Sequence, residues 1–287
     1  MTSRQEVPTL PEPEHDPAAE QGEWERLGVD TSAPHSARVY DYWLGGKTNF
    51  APDRAMGQAF EEAIPSIRAM AKENRAFQGR AVRHLAREHG IRQFLDLGTG
   101  IPTSPNTHDI AEAVSPGTRV VYVDNDPIVL AHARALMVST PGARTTYLHA
   151  DLRKPAELLA DPELTATLDL DRPVGLLLIA VLMLIADADD PWGKVAELRD
   201  ALPSGSCIAL THPTQDFDPE TVATVAAAAQ QGGMTLVPRT REEVARFFDG
   251  WELVEPGVSP VMAWRPDGEP PADPTAAYYW GAVARKK

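Results

Sequence analysis

The chain has 287 residues, enough for a full hydrophobic core, and its 43% hydrophobic and 24% charged residues exclude a fibrous or wholly disordered protein. A net charge of -14 argues against a nucleic-acid partner, because phosphate binding needs a basic face. The single cysteine, Cys207, excludes an intramolecular disulfide and sits in Ser206-Cys207-Ile208-Ala209-Leu210, which reads as a buried strand.

Residues 1–30 are rich in Pro, Glu and Gln and lack a hydrophobic period, the composition of a disordered tail. They contain no apolar signal region, and a cytoplasmic location is expected. The longest apolar run, Val174 to Ala186, falls short of the roughly 20 residues of a membrane helix. Residues 31–90 read as helical. Tyr40-Asp41-Tyr42-Trp43-Leu44 forms a short aromatic helix ended by Gly45 and Gly46. Ile67, Met70, Ala71, Phe77, Ala81, Val82 and Leu85 fall on one stripe of a long amphipathic helix that stops at Gly90. The basic residues Lys72, Arg75, Arg80, Arg83, Arg87 and Arg92 read as its solvated face.

Residues 91–287 alternate short apolar runs with helical stretches. Strands are expected at Gln93–Leu97, Arg119–Val123, Thr145–His149, Val174–Ile179, Cys207–Leu210, Trp251–Val254 and Tyr278–Ala284. Asp126-Pro127 and Asp190-Pro191 are helix starts, the first with a stripe of Val129, Ala133, Leu136 and Met137. Thr240 and Glu243 make a capping box, and Gly250 ends that helix. The pattern predicts an α/β fold, a Rossmann-like, mostly parallel seven-stranded sheet with helices on both faces. The last two runs follow each other without a helix, which calls for one reversed strand at the end of the sheet.

Ligands of such sheets bind at the carboxyl ends of the strands. The first strand runs into Asp96-Leu97-Gly98-Thr99-Gly100, whose glycines permit a tight turn and close ligand approach. The second ends in Asp124-Asn125, where an acid can accept hydrogen bonds from both ribose hydroxyls. The third ends before Asp151-Leu152, where a carboxylate can reach the exocyclic amine of adenine. Three acids at successive strand ends point to an adenosine cofactor. A dinucleotide would want a third glycine where Thr103 stands, within Ile101-Pro102-Thr103-Ser104-Pro105, and Asp96 would repel its pyrophosphate. A methionine-type ammonium would welcome Asp96, so S-adenosylmethionine is favoured over NAD. No metal-ligand spacing is evident; His84 and His89 lack acidic or cysteine partners.

Over about residues 31–287 the sequence resembles the actinobacterial S-adenosyl methyltransferase family, once catalogued as a domain of unknown function. The segments that carry the resemblance are Pro34 to Phe50, Phe94 to Asn106, Val120 to Ala135, and Arg246 to Gly250 with Glu252 to Gly257. It implies a class I methyltransferase fold and S-adenosylmethionine binding, and no particular acceptor. Such proteins tend to carry a histidine after the fourth strand where this chain has Met183. With the resemblance, residues 31–90 read as a helical lid over the cofactor cleft, with aromatic faces for the sulfonium and the glycine pair as a hinge. Should the acceptor need a base, His35, Tyr40, Asp41 and His212 are the candidates; His212, after the fifth strand, is expected to face the cleft. The expected activity is methyl transfer to a small-molecule acceptor. A non-catalytic protein that binds S-adenosylmethionine or its demethylated product is the alternative, ahead of an NAD-linked oxidoreductase.

Overall fold

The computed structural model describes residue 26, residues 28–129, residue 131, residues 144–269 and residues 271–287. Three helices come first: α1 (Ser36–Leu44), α2 (Ala51–Ala63) and α3 (Ile67–Glu88). There follow β1 (Gln93–Leu97), α4 (Thr107–Val114), β2 (Arg119–Asp124), β3 (Arg144–His149), α5 (Pro155–Leu159), α6 (Pro162–Thr167) and β4 (Gly175–Ile179). The chain continues through two 3₁₀ turns into α7 (Pro191–Asp200), β5 (Cys207–Pro213), α8 (Pro219–Gln231), α9 (Arg241–Ala245), β6 (Glu252–Leu253), β7 (Ser259–Pro260) and β8 (Tyr279–Arg285).

The sheet order is β3-β2-β1-β4-β5-β8-β6, with β7 also paired to β8. Strands β1 to β5 are parallel, and β8 runs antiparallel to β5, β6 and β7. All seven expected strands are present. Two details differ from expectation. The reversed strand is inserted between β5 and β6 rather than set at the end of the sheet, because β8 pairs along its whole length with β5 while β6 is two residues long. An eighth, two-residue strand at Ser259–Pro260 pairs beside β6 on the same edge.

Side-chain alternation along the strands splits the core in two. Phe94, Val120, Tyr122, Leu177, Ala209 and Val283 face a layer built from α1 to α4 and α8, with Phe77, Leu85 and Trp264 among its fully buried members. Leu95, Leu97, Val121, Val123, Leu176, Leu178, Ile208 and Leu210 face α5, α6, α7 and α9. Burial on both faces is why β1 has no exposed residue.

The helix signals act as read. Asp190 and Thr240 cap α7 and α9 through their side chains, and Asp126 accepts from the Ile128 N–H at 3.0 Å. Ala133, Leu136 and Met137 lie outside the described residues, as does the tail except for Arg26 and its last three positions. Among these Val29 is buried against Ile128 and Val129, so the packed structure begins before residue 30. Cys207 is buried, which pushes its thiol up to about 12. Members of the basic run on and just after α3 have partners within the chain: Arg80 donates to the Val261 and Trp264 carbonyls, Arg83 pairs with Asp267 at the surface, and Arg92 donates to the Ala86 and Ile91 carbonyls. Arg80, expected on a solvated face, is buried. Among the described residues no helix is long and apolar enough to cross a membrane.

Candidate functional site

Strand order reverses between β2-β1 and β4, the switch point where a crevice opens at the carboxyl ends of an α/β sheet. An open cleft lies there. It is lined by Asp96, Gly98, Thr99 and Gly100 after β1, by Asp124 and Asn125 after β2, and by Asp151 and Leu152 after β3. All eight cofactor-binding expectations thus converge on one cavity. Its roof comes from α1, through Ser36, Ala37, Tyr40, Asp41 and Leu44.

The loop after β1 is shaped by backbone geometry. Gly98 and Gly100 have φ of +68° and +66°, and a Cβ on Gly98 would collide with Val181. Asp124 holds this loop to the next strand end: its Oδ2 accepts from the Gly100 N–H at 2.8 Å and its Oδ1 from the Asp126 N–H at 3.0 Å. Burial pushes the Asp124 carboxyl up, against those two hydrogen bonds. The next helix, α4, does not start until Thr107, so no helix N-terminus meets the glycines.

Asp96 is buried, and burial raises its carboxyl to about 6. Its Oδ2 accepts from Thr107 Oγ1 at 2.7 Å and Gln78 Nε2 at 3.2 Å. Its Oδ1 has no hydrogen-bond partner among the described residues. Asp151 lines the cleft but is gripped by Arg153, whose Nε and Nη2 donate to it at 2.9 and 2.7 Å; this keeps its carboxyl low.

The sequence reading missed a set of residues from α3. Asn74, Arg75 and Gln78 line the cleft. Arg75 donates to Gln78 Oε1 at 2.7 Å and to the Thr103 carbonyl at 2.8 Å, tying α3 to the loop after β1. Asn74 donates to the Tyr40 hydroxyl at 2.9 Å, while its buried Oδ1 has no partner. The available signal was polarity on the helix's buried stripe: Asn74 and Gln78 are one turn apart between Ala71 and Ala81, and both are buried.

The base candidates separate. His212 is fully buried and does not reach the cleft, contrary to expectation. It stacks on Phe247 on the other face of the sheet, donates through Nδ1 to the Pro213 carbonyl, and accepts at Nε2 from Arg239 at 2.8 Å. Burial lowers it to about 3, so it stays neutral. His35 also stays out of the cleft lining: it caps α1, accepting from the Ala37 N–H, and lies 3.1 Å from Asp126. Tyr40 does line the cleft, but its hydroxyl donates to the Ala71 carbonyl at 2.9 Å and burial raises it to about 12. Asp41 accepts from the Thr48 N–H and Asn49 Nδ2 at 2.9 and 2.8 Å.

Those bonds also settle the glycine pair. Gly45 has φ +83°, and the Asp41 carboxylate fills the place a Cβ on Gly46 would need. The pair closes a capped turn in which the Gly45 N–H donates to the Tyr42 carbonyl and the Gly46 N–H to the Asp41 carbonyl. Of the three aromatics only Tyr40 reaches the cleft; Trp43 packs on Phe60, and Tyr42 lies under Arg68. Met183 lines the cleft where the resemblance implies a histidine. His84 and His89 face each other at 3.3 Å, and among the described residues no group of three or more His, Cys, Asp or Glu could hold a metal ion.

The chain is similar to a solved protein of the DUF574 family from Streptomyces avermitilis, with 48% identity and a TM-score of 0.87 over 90% of this chain and 99% of that one. It is similar also to a solved protein from Thermobifida fusca, with 40% identity and a TM-score of 0.83 over 91% of this chain and 97% of that one. No curated protein matches it. The family model described as S-adenosyl methyltransferase matches residues 22–287. With that match over most of its length, the chain belongs to the S-adenosyl methyltransferase family and is an S-adenosylmethionine-dependent methyltransferase.

Proposed function

We propose that the cleft at the strand ends holds S-adenosylmethionine, with Asp124 on the ribose hydroxyls, Asp151 and Leu152 at the adenine, and Gly98 to Gly100 against the ligand backbone. Asn125 borders the ribose side. Asp96 and Asn74 take the methionine ammonium. The observation that carries this reading is that Asp96, whose Oδ1 has no partner among the described residues, and Asn74, whose buried Oδ1 is unpaired, both line one cleft. A buried acceptor left unpaired costs roughly 1–3 kcal/mol, and an ammonium supplies the missing donors. The same acceptors would repel a pyrophosphate.

The bound cofactor supplies an already activated methyl group, so the chain's own residues need mainly to align the acceptor and exclude water. Alignment alone is worth up to about 7–11 kcal/mol. Residues 31–90 serve as the lid: α1 roofs the cleft, and Arg75 and Gln78 join α3 to its floor. The acceptor is a small molecule rather than a nucleic acid, a reading supported by the net charge of -14 and by the internal partners of Arg75, Arg80, Arg83 and Arg92. The acidic, polar composition suits the cytoplasm.

Calorimetric titration with S-adenosylmethionine, S-adenosylhomocysteine and NAD tests the site. Micromolar binding of both adenosyl ligands, none of NAD, and loss of binding in a folded Asp124→Ala variant are expected. Unchanged affinity in that variant would remove Asp124 from the site.

A further inference from the structure

Beside the cofactor cleft, under α1, lies a second, apolar chamber. Ser36, Tyr40, Met183 and Leu184 line both spaces, so the two adjoin across one wall. The rest of the chamber is built from α1, α2, the start of α3, α8 and the segment Met234 to Leu236. Trp43, Phe60, Ile67 and Met70 give it an apolar surface, and among the described residues no Asp, Glu, Lys, Arg or His lines it.

That chemistry selects its occupant. An unpaired charge moved from water into such a space costs several kcal/mol, so an acceptor that enters already charged is disfavoured. The polar groups present supply no proton acceptor at neutral pH. The Tyr40 hydroxyl is engaged by Ala71 and Asn74, Tyr278 donates to Asp218 at 3.1 Å, and the Thr214 hydroxyl accepts from the Asp216 N–H at 3.0 Å. Burial holds the Tyr40 and Tyr279 hydroxyls protonated. An alcohol or phenol that must lose its proton during attack finds no base among the chamber's described lining residues.

We propose that this chamber is the acceptor site and that it takes a neutral, largely apolar molecule whose nucleophile is a nitrogen lone pair needing no prior deprotonation, such as a nitrogen heterocycle or an arylamine. This rests on the cofactor assignment above. The acceptor's lone pair forms the new bond to the methyl carbon as the carbon–sulfur bond breaks and its electron pair stays on sulfur. The positive charge moves from sulfur to nitrogen, and where the nitrogen bears hydrogen its proton leaves to solvent afterwards. Net charge is conserved: the positive charge that the cofactor brings to the shared wall passes to the acceptor nitrogen at that wall, and no separated ion pair forms.

The test uses protein saturated with S-adenosylhomocysteine, titrated calorimetrically at mildly alkaline pH with quinoline and with naphthoate, a neutral and an anionic probe of similar shape. Quinoline should bind at least about tenfold more tightly than naphthoate. Met234→Trp, which fills the chamber from the side away from the cleft, should weaken quinoline at least about tenfold and leave S-adenosylhomocysteine affinity unchanged. Val222→Phe repeats the test should Met234→Trp fail to bind the cofactor product. Equal or tighter binding of naphthoate, quinoline binding that survives both substitutions, or uptake of neither probe would overturn the proposal. Failure of the wild type to bind S-adenosylhomocysteine is a separate result, one that overturns the cofactor assignment and this proposal together.

Discussion

Asp96→Asn should make the ligand-free protein more stable and a poorer binder of its cofactor. The carboxyl is buried and titrates at about 6 rather than 3.8, with burial as the main cause. Because the folded-state value is the higher one, the stabilisation this group lends is fully present below 3.8 and lost as pH rises through about 6. The difference corresponds to about 3 kcal/mol, the cost of keeping the charge buried at neutral pH. An asparagine can still accept from Thr107 and Gln78 without that cost. Urea denaturation of both proteins from below pH 3.8 to mildly alkaline pH should show the wild type losing about 3 kcal/mol relative to Asp96→Asn, roughly half of it above pH 5. Calorimetry should show the reverse for ligand: S-adenosylmethionine affinity of the wild type falls below about pH 6 and that of the variant is lower and flat. Parallel stability curves for the two proteins would refute the reasoning, since the buried charge would then carry no folding cost.

Two further substitutions probe how the site is held. His212→Leu removes the acceptor for a buried guanidinium and should cost about 1–3 kcal/mol in denaturant titration. The same variant should leave the pH dependence of turnover unchanged; a shifted profile would restore His212 as an acid or base. Gly98→Ala puts a side chain at positive φ and against Val181, and should cost about 2–4 kcal/mol together with cofactor affinity. Stability and calorimetry on one preparation check both effects, and near-wild-type values would show that the loop after β1 shifts freely.

Much of the sheet and cofactor cleft was legible in the sequence, because a parallel strand buried on both faces followed by an acid or glycine is a local pattern. Asp124 and Asp151 needed only the ends of their strands to be found. His212 was placed at the correct strand end and on the wrong face. Alternation along β5 puts it with Ile208 and Leu210, on the side packed by Phe247, and that parity was available in the sequence. Asn74 and Gln78 were hidden in a helix read for its apolar stripe, where a buried polar pair looks like noise until a partner is seen. The second chamber was not legible at all, since Val39, Phe60, Met70, Val225 and Met234 meet only when α8 closes over α2. The place of β8 inside the sheet likewise depends on pairing between segments about 70 residues apart in sequence, and no local propensity encodes it.

The buried Arg239 acts on the turn after β4 in a way that bears on how the family can diversify. It donates to the carbonyls of Leu182 and Ile185, both at 2.9 Å, and to Asp187 at 2.6 Å, while His212 on β5 accepts from the same guanidinium. Two of these contacts read only main chain, which every residue offers alike. The path of residues 182–185 is therefore fixed without reference to the side chain at 183, the position that forms part of the wall between cleft and chamber. A histidine, methionine or smaller residue can be exchanged there and present itself from the same backbone. The frame of this turn is thereby held apart from the side chain of Met183, which lines both the cleft and the chamber.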